Sequence, residues 1–278
     1  AQCRGHQGPA KGPQYRGTGV TSVAFHLDGQ SLASAGQDGT IRVWNLAGQE
    51  QFQLTPAAGV TRLAFHPDGT MLAAGFADRT VRLWSLADRK EIRTLKRHYG
   101  AITNLKFNAD GSRLAVTSTR YDYERQRWTG DLKVWDVASG RRIVSTPAHT
   151  WHDAHLAFHP TLPHIAIGSG IEHTVQVRHA DTGRLVLSIP TSGYEVGGLA
   201  FNNAGDRLIF SQGGEVLLMD ATPEPSPLGS AARPSAATAT QSAADEAAAR
   251  WALEKGGRIH VRSDDVVDEI ANAADLPL

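Results

Sequence analysis

The sequence predicts an all-β fold built from repeated four-stranded units. A phenylalanine-tipped apolar run recurs five times along the chain. Asp-Gly turns follow the first three copies, and one fourteen-residue stretch is nearly duplicated. LASAGQDGTIRVWN at residues 32–45 returns as LAAGFADRTVRLWS at residues 72–85.

The first strand of each unit is the run that Phe25, Phe65, Phe107, Phe158 or Phe201 closes: VTSVAF, VTRLAF, ITNLKF, DAHLAF and VGGLAF. Successive phenylalanines lie 40, 42, 51 and 43 residues apart. LDGQ, PDGT and ADGS follow the first three, and Asp-Gly between apolar runs marks a hairpin because glycine accepts positive φ without a Cβ clash. A second run, LASAG or its equivalent, leads to a third rich in β-branched residues: TIRVW, TVRLW, DLKVW, TVQVR and EVLLM. The fourth strand is QEQFQL (49–54), KEIRTL (90–95), RRIVST (141–146) and RLVLSI (184–189). The fifth unit shows no clear last strand. Each unit is apolar on both faces, so one alone would leave a face wet. Stacking the copies face to face around an axis buries them, which predicts a β-propeller.

The chain resembles WD40 repeat proteins of a bacterial type over roughly residues 15–221. Leu32–Asn45, its echo at Leu72–Ser85, and VWD ending at Trp135-Asp136 carry the likeness. The period lies near the family's range of about 40–45 residues. The resemblance implies a hydrogen-bonded network in each blade, made by a His before the first strand, a Ser or Thr in the second, an Asp in the turn and the Trp. Ser34, Asp38 and Trp44 match in the first copy, and no histidine precedes it. The second keeps Asp78 and Trp84 but has Ala74 in place of the serine. The third offers His98 and Trp135, with an insertion disturbing the Asp position. Arg178 and Met219 replace the Trp in the last two. GHQGP at Gly5–Pro9 is similar to the Gly-His start of a further, interrupted repeat.

The predicted boundaries are a polar N-terminal segment (1–19), the propeller (20–221), a Pro/Ala/Ser-rich linker (222–244) and a short helix–strand segment (245–278). The linker has too few large apolar residues to offset its ordering entropy. The last segment resembles the opening of leucine-rich-repeat regions in large bacterial multidomain proteins, or supplies a closing strand to a degenerate blade. The chain lacks a starting Met, which predicts a processed chain or a piece of a longer one with additional domains.

Of the 278 residues, 28 are Lys or Arg and 28 are Asp or Glu. That balance argues against broad nucleic-acid binding. No apolar stretch is long enough to span a bilayer as a helix, and the first residues lack a signal peptide's hydrophobic core. Cys3 is the only cysteine, compatible with a reducing, cytoplasmic setting. Phosphate-binding loops and the G-x-S-x-G elbow are missing, so no cofactor is expected.

HTWHDAH holds the best metal-ligand types, His149, His152 and His155 with Asp153, but it lacks helical spacing to align them. His26, His66 and His159 recur after the strand-ending Phe and read as turn residues. TRYDYERQRWTG (Thr119–Gly130) is inserted between the second and third strands of the third unit. Tyr, Trp and Arg are the residue types of binding hot spots. Tyr121, Tyr123, Arg125, Arg127 and Trp128, with Trp151 from the following loop, form a candidate protein-binding patch. The alternative is that the insertion covers a poorly packed edge of its own blade. The expected function is non-catalytic: a rigid scaffold binding a protein or peptide on its loop face, within a larger regulatory protein. A metal or catalytic site near His149–His155 and a purely structural spacer are the alternatives.

Overall fold

The structure, a computed structural model, describes residues 2–6, 19–56, 58–147, 155–169, 173–192, 196–212, 215–220, 259–263 and 266–270. The predicted linker and the helical part of the last segment lie outside these residues.

Among the described residues every regular element is a strand. Sheet 1 contains β1 (Val20–Phe25), β2 (Ser31–Gly36), β3 (Ile41–Asn45) and β4 (Glu50–Leu54). Sheet 2 contains β5 (Val60–Phe65), β6 (Met71–Phe76), β7 (Val81–Ser85) and β8 (Lys90–Leu95). Sheet 3 contains β9 (Ala101–Phe107), β10 (Arg113–Asp122), β11 (Arg127–Asp136) and β12 (Arg142–Pro147). Sheet 4 contains β13 (His155–Phe158), β14 (His164–Ser169), β15 (Thr174–His179) and β16 (Leu185–Pro190). Sheet 5 has three strands, β17 (Val196–Phe201), β18 (Arg207–Gln212) and β19 (Glu215–Asp220). The expected strand at RIHVRS is present as β20 (Ile259–Ser263), paired with β21 (Val266–Ile270).

Local chemistry fixes each hairpin. In the β1–β2 turn, Asp28 Oδ1 accepts the Gln30 and Ser31 amides at 2.7 and 3.0 Å while Gly29 takes φ 64°. Such an Asx turn favours Asp-Gly over most other pairs. A bulge recurs where the third strand pairs with the fourth, at Trp44, Trp84, Trp135 and Arg178. One extra residue there bends the strand and re-aims that side chain.

Each sheet buries one face against the next. Ala33, Ala35, Ile41 and Val43 of sheet 1 meet Val60, Leu63, Leu72 and Phe76 of sheet 2. The same pairing joins sheets 2 and 3, 3 and 4, and 4 and 5. At 25 cal/mol per Å², removing these faces from water is the main stabilising term for a fold whose units cannot stand alone.

The recurring histidines are more than turn residues. His26, His66 and His159 donate from Nε2 to the carbonyls of Gly69, Gly111 and Gly205 in the following sheet, at 2.9, 3.0 and 2.9 Å. The carbonyl only accepts, so Nε2 carries a proton, while Nδ1 lies beside the Asp28 and Asp68 carboxylates in the first two and accepts the Thr161 amide in the third. Thr21 and Thr61 add clips to the carbonyls of Val60 and Ile102 at 2.8 and 2.9 Å. Between sheets 3 and 4 the histidine position is Asn108. Arg113 bridges there instead, reaching Asp136 and Asp181 at 2.9 Å each.

The outer faces of the first and fifth sheets differ from the inner ones. Val216 and Leu218 are 67% and 56% exposed, at the register positions where Ile41 and Val43 are 0% and 6% exposed. Phe25 is 69% exposed, although its counterparts Phe65 and Phe107 pack against the preceding sheet.

Candidate interaction surface

The tryptophan networks determine how firmly each sheet holds its loops. In sheet 1, Trp44 Nε1 donates to Ser34 Oγ at 2.7 Å, and His6 Nε2 meets the same oxygen at 2.7 Å. His6 Nδ1 lies 3.1 Å from Asp38. A carboxylate only accepts, so Nδ1 donates and Nε2 takes the Ser34 hydroxyl proton. This corrects the expectation that no histidine precedes the first copy. The Gly-His pair of GHQGP belongs to sheet 1 and not to a further repeat. Its distance from β1 hid it, because residues 7–18 intervene.

Sheets 2 and 3 both lose the serine of this network. Ala74 and Val116 occupy the register of Ser34. Among the described residues, the buried Nε1 atoms of Trp84 and Trp135 have no acceptor, and neither ring nitrogen of His98 has a partner. Burial, then Lys133 and Arg142, pull the His98 pKa down to about 3. Asp78 turns to Thr80 and Arg82 instead, at 2.6 and 2.7 Å. In sheet 3 a carboxylate returns two residues nearer the Trp, at Asp131, which binds Ser118 and Lys133. Ser118 Oγ in turn accepts the amides of Tyr99 and Gly100 at 3.1 and 3.3 Å. The loop before β9 is therefore pinned by a different set of groups.

The inserted stretch is a hairpin arm and not an irregular loop. The β10–β11 ladder runs unbroken from Arg113↔Asp136 to Asp122↔Arg127. Thr, Tyr and Trp in alternation suit a strand, and the cross-strand pair Tyr121–Trp128 stacks edge-on with ring centroids 5.5 Å apart. Asp122 Oδ1 accepts the amides of Glu124 and Arg125 at 3.1 Å each, and its other oxygen takes Arg125 Nη1 at 2.9 Å. Arg125 and these amides hold the Asp122 carboxyl below its ordinary range. Gln126 closes the turn at φ 52° and donates to Tyr123 O at 2.7 Å.

Of the candidate binding residues, Tyr121, Tyr123, Arg125, Arg127 and Trp128 share this arm. Tyr123 is 79% exposed at its tip, and its ring lies 5.0 Å from that of Tyr121. Trp151, His149, His152 and Asp153 lie outside the described residues. His155 is on β13, the first strand of sheet 4. Among the described residues no three His, Cys, Asp or Glu side chains are grouped to hold a metal ion.

Two participants carried no sequence signal. Arg120 lies 4.0 Å from the Tyr99 ring centroid and donates to the Tyr99 hydroxyl at 2.7 Å, tying the arm to the loop before β9. Hydrogen bonds with Thr129 and then Arg120 lower the Tyr99 pKa.

At the other end of the sheets are shallow clefts. One of about 320 Å³ between sheets 2 and 3 is lined by His66, Asp110 and Ser112. His66 is no free base there, since Nε2 holds Gly111 O and Nδ1 lies beside the Asp68 carboxylate.

The WD40 family, described as WD domain, G-beta repeat, matches the chain at residues 11–45, 48–85 and 89–136. These segments cover every strand of sheets 1 and 2 and β9 to β11 of sheet 3. Residues 11–136 carry WD40 repeats, and such repeats are generally scaffolds for protein interaction. A comparison with curated proteins finds no match.

Proposed function

We propose that this protein is a non-catalytic platform that binds a protein or peptide at the end of the sheets from which the β10–β11 arm projects. The observation that carries the reading is the prefolded arm. Its turn is fixed by Asp122 and Gln126, its aromatic rings are stacked, and Tyr123 is presented to solvent. A partner meeting such a surface orders few side chains on this side, so less of the contact energy is lost to ordering. Ser118 and Arg120 fix the loop beside the base of the arm, and that rigidity is the contribution of the scaffold. The lone cysteine fits action in a reducing cytoplasm.

The test is capture from an immobilised array of random peptides by the full chain and by Tyr123→Ala and Trp128→Ala. Removing a hot-spot aromatic weakens binding by about tenfold or more. Equal capture by both variants, with circular dichroism unchanged, removes the arm from the binding site.

A further inference from the structure

We propose that the partner segment is acidic: a peptide whose Asp or Glu side chains flank an aromatic or apolar anchor. This inference rests on the arm being the binding surface. The arm and the loop before β9 carry five exposed cations: Lys96, Arg97, Arg120, Arg125 and Arg127. Lys96 and Arg97 belong to the loop whose Tyr99 is tied to Arg120, so loop and arm form one surface. The nearby carboxylates on the arm are Asp122 and Glu124, and Asp122 is engaged by Arg125. In a chain whose formal charges cancel over its full length, loop and arm together set five Lys or Arg against these two carboxylates.

Backbone geometry adds a second observation. Arg97 adopts φ 71° and Arg79 φ 68°, in the left-handed region that glycine enters without penalty. Arg79 stands in the β6–β7 turn at the position of Gly39 in sheet 1, where φ is 76°. That turn is at the same end of sheet 2 as the arm tip is of sheet 3. Arg89, at φ 55° in the β7–β8 turn, is a third such arginine at the opposite end, so these positions add guanidinium groups to the arm end without being confined to it.

Guanidinium groups match carboxylates with paired, charge-assisted hydrogen bonds, and the stacked rings of Tyr121, Tyr123 and Trp128 offer an apolar seat between them. A nucleic acid is the less favoured polyanion. Tight phosphate-backbone binding uses a longer track of cations than one hairpin and one loop supply.

The experiment is fluorescence anisotropy on the full chain with four labelled probes. They are a nonapeptide of Asp and Glu around one Phe, its Asn/Gln counterpart, its Lys counterpart, and an oligothymidine. The acidic peptide is expected to bind with an affinity that falls as salt rises, and its amide counterpart about tenfold more weakly. Arg120→Gln with Arg127→Gln, and separately the Glu replacements, are expected to weaken the acidic peptide by about tenfold or more while circular dichroism is unchanged. If the amide or Lys peptide binds as well, and Trp128→Ala abolishes it, the arm stands as the site and the acidic partner is overturned. Tighter binding of the oligothymidine also overturns it. If no peptide binds in a Trp128-dependent way, the platform reading falls as well.

Discussion

Sheets 1 and 3 share one register and are held by different chemistry. Leu32↔Trp44 and Leu114↔Trp135 are the same cross-strand pair, and each sheet has a histidine beside its tryptophan. Ser34 completes the network in the first sheet. Val116 leaves three buried nitrogens without partners among the described residues in the third. Sheet 1 is clipped to its successor by His26 and Thr21, whereas sheet 3 relies on the Arg113 bridge. The repeat thus fixes strand and register through its apolar positions, while its polar positions drift when a neighbouring group takes over the loop. In sheet 3 that group is Ser118, and the loop it pins supports the arm.

The most direct way to break the contrast by substitution is Ser34→Ala. It leaves Trp44 Nε1 and His6 in the condition of Trp135 and His98, and unmaking buried hydrogen bonds of this kind costs about 2 kcal/mol. Urea unfolding is the measurement. A loss of only a few tenths would mean the network adds nothing beyond packing.

Acid separates the sheets next. His98 is held at about 3 by burial, then by Lys133 and Arg142, against an ordinary value of 6.5. Below pH 6.5 the unfolded chain takes up a proton that the folded chain refuses, so stability present above that pH is lost as pH falls toward 3. The slope from this one group is about 1.4 kcal/mol per pH unit. His164, lowered to about 4 mainly by burial, acts in the same direction. His98→Phe is expected to flatten the acid limb of the urea midpoint against pH. An unchanged limb would place the acid sensitivity elsewhere.

How much of this was legible in the sequence depends on what recurs. The strands and their order follow from alternation, the Asp-Gly turns and a period near 40 residues, so β1, β5, β8 and β17 fall where the runs placed them. His6 escaped because its identity is set by the Asp38–Ser34 geometry and not by its distance from β1. The arm read as a loop because an insertion breaks the period, although Tyr121↔Trp128 continues the ladder across it. Tyr99 and Arg120 meet through a contact between two loops that no spacing encodes. The exposed Phe25 has half-buried counterparts and Leu218 a buried one, so composition alone cannot distinguish them.

Val116→Thr sharpens the comparison in the other direction. Threonine keeps the valine shape and sets a hydroxyl where Ser34 stands in sheet 1. It gives Trp135 Nε1 an acceptor and His98 a donor. The expected gain is about 1 kcal/mol, the net worth of one buried hydrogen bond. A loss of similar size would show that the sheet 3 packing has closed around Val116 and does not admit the network.

The smallest effect belongs to Arg113. Its guanidinium and its partners Asp136 and Asp181 are partly exposed, with side-chain accessibilities of 27%, 27% and 42%. Exposed pairs contribute little and are screened by salt. Arg113→Met is expected to lower the thermal midpoint by only about 1–2 °C in dilute buffer and by nothing at high salt. The histidine clip between sheets 2 and 3 is of another kind, a buried Nε2–H donating to the Gly111 carbonyl at 3.0 Å. His66→Ala unmakes that buried bond and is therefore expected to lower the thermal midpoint more than Arg113→Met does. If the two variants lose equally little, the junctions on the two sides of sheet 3 are not held by different forces.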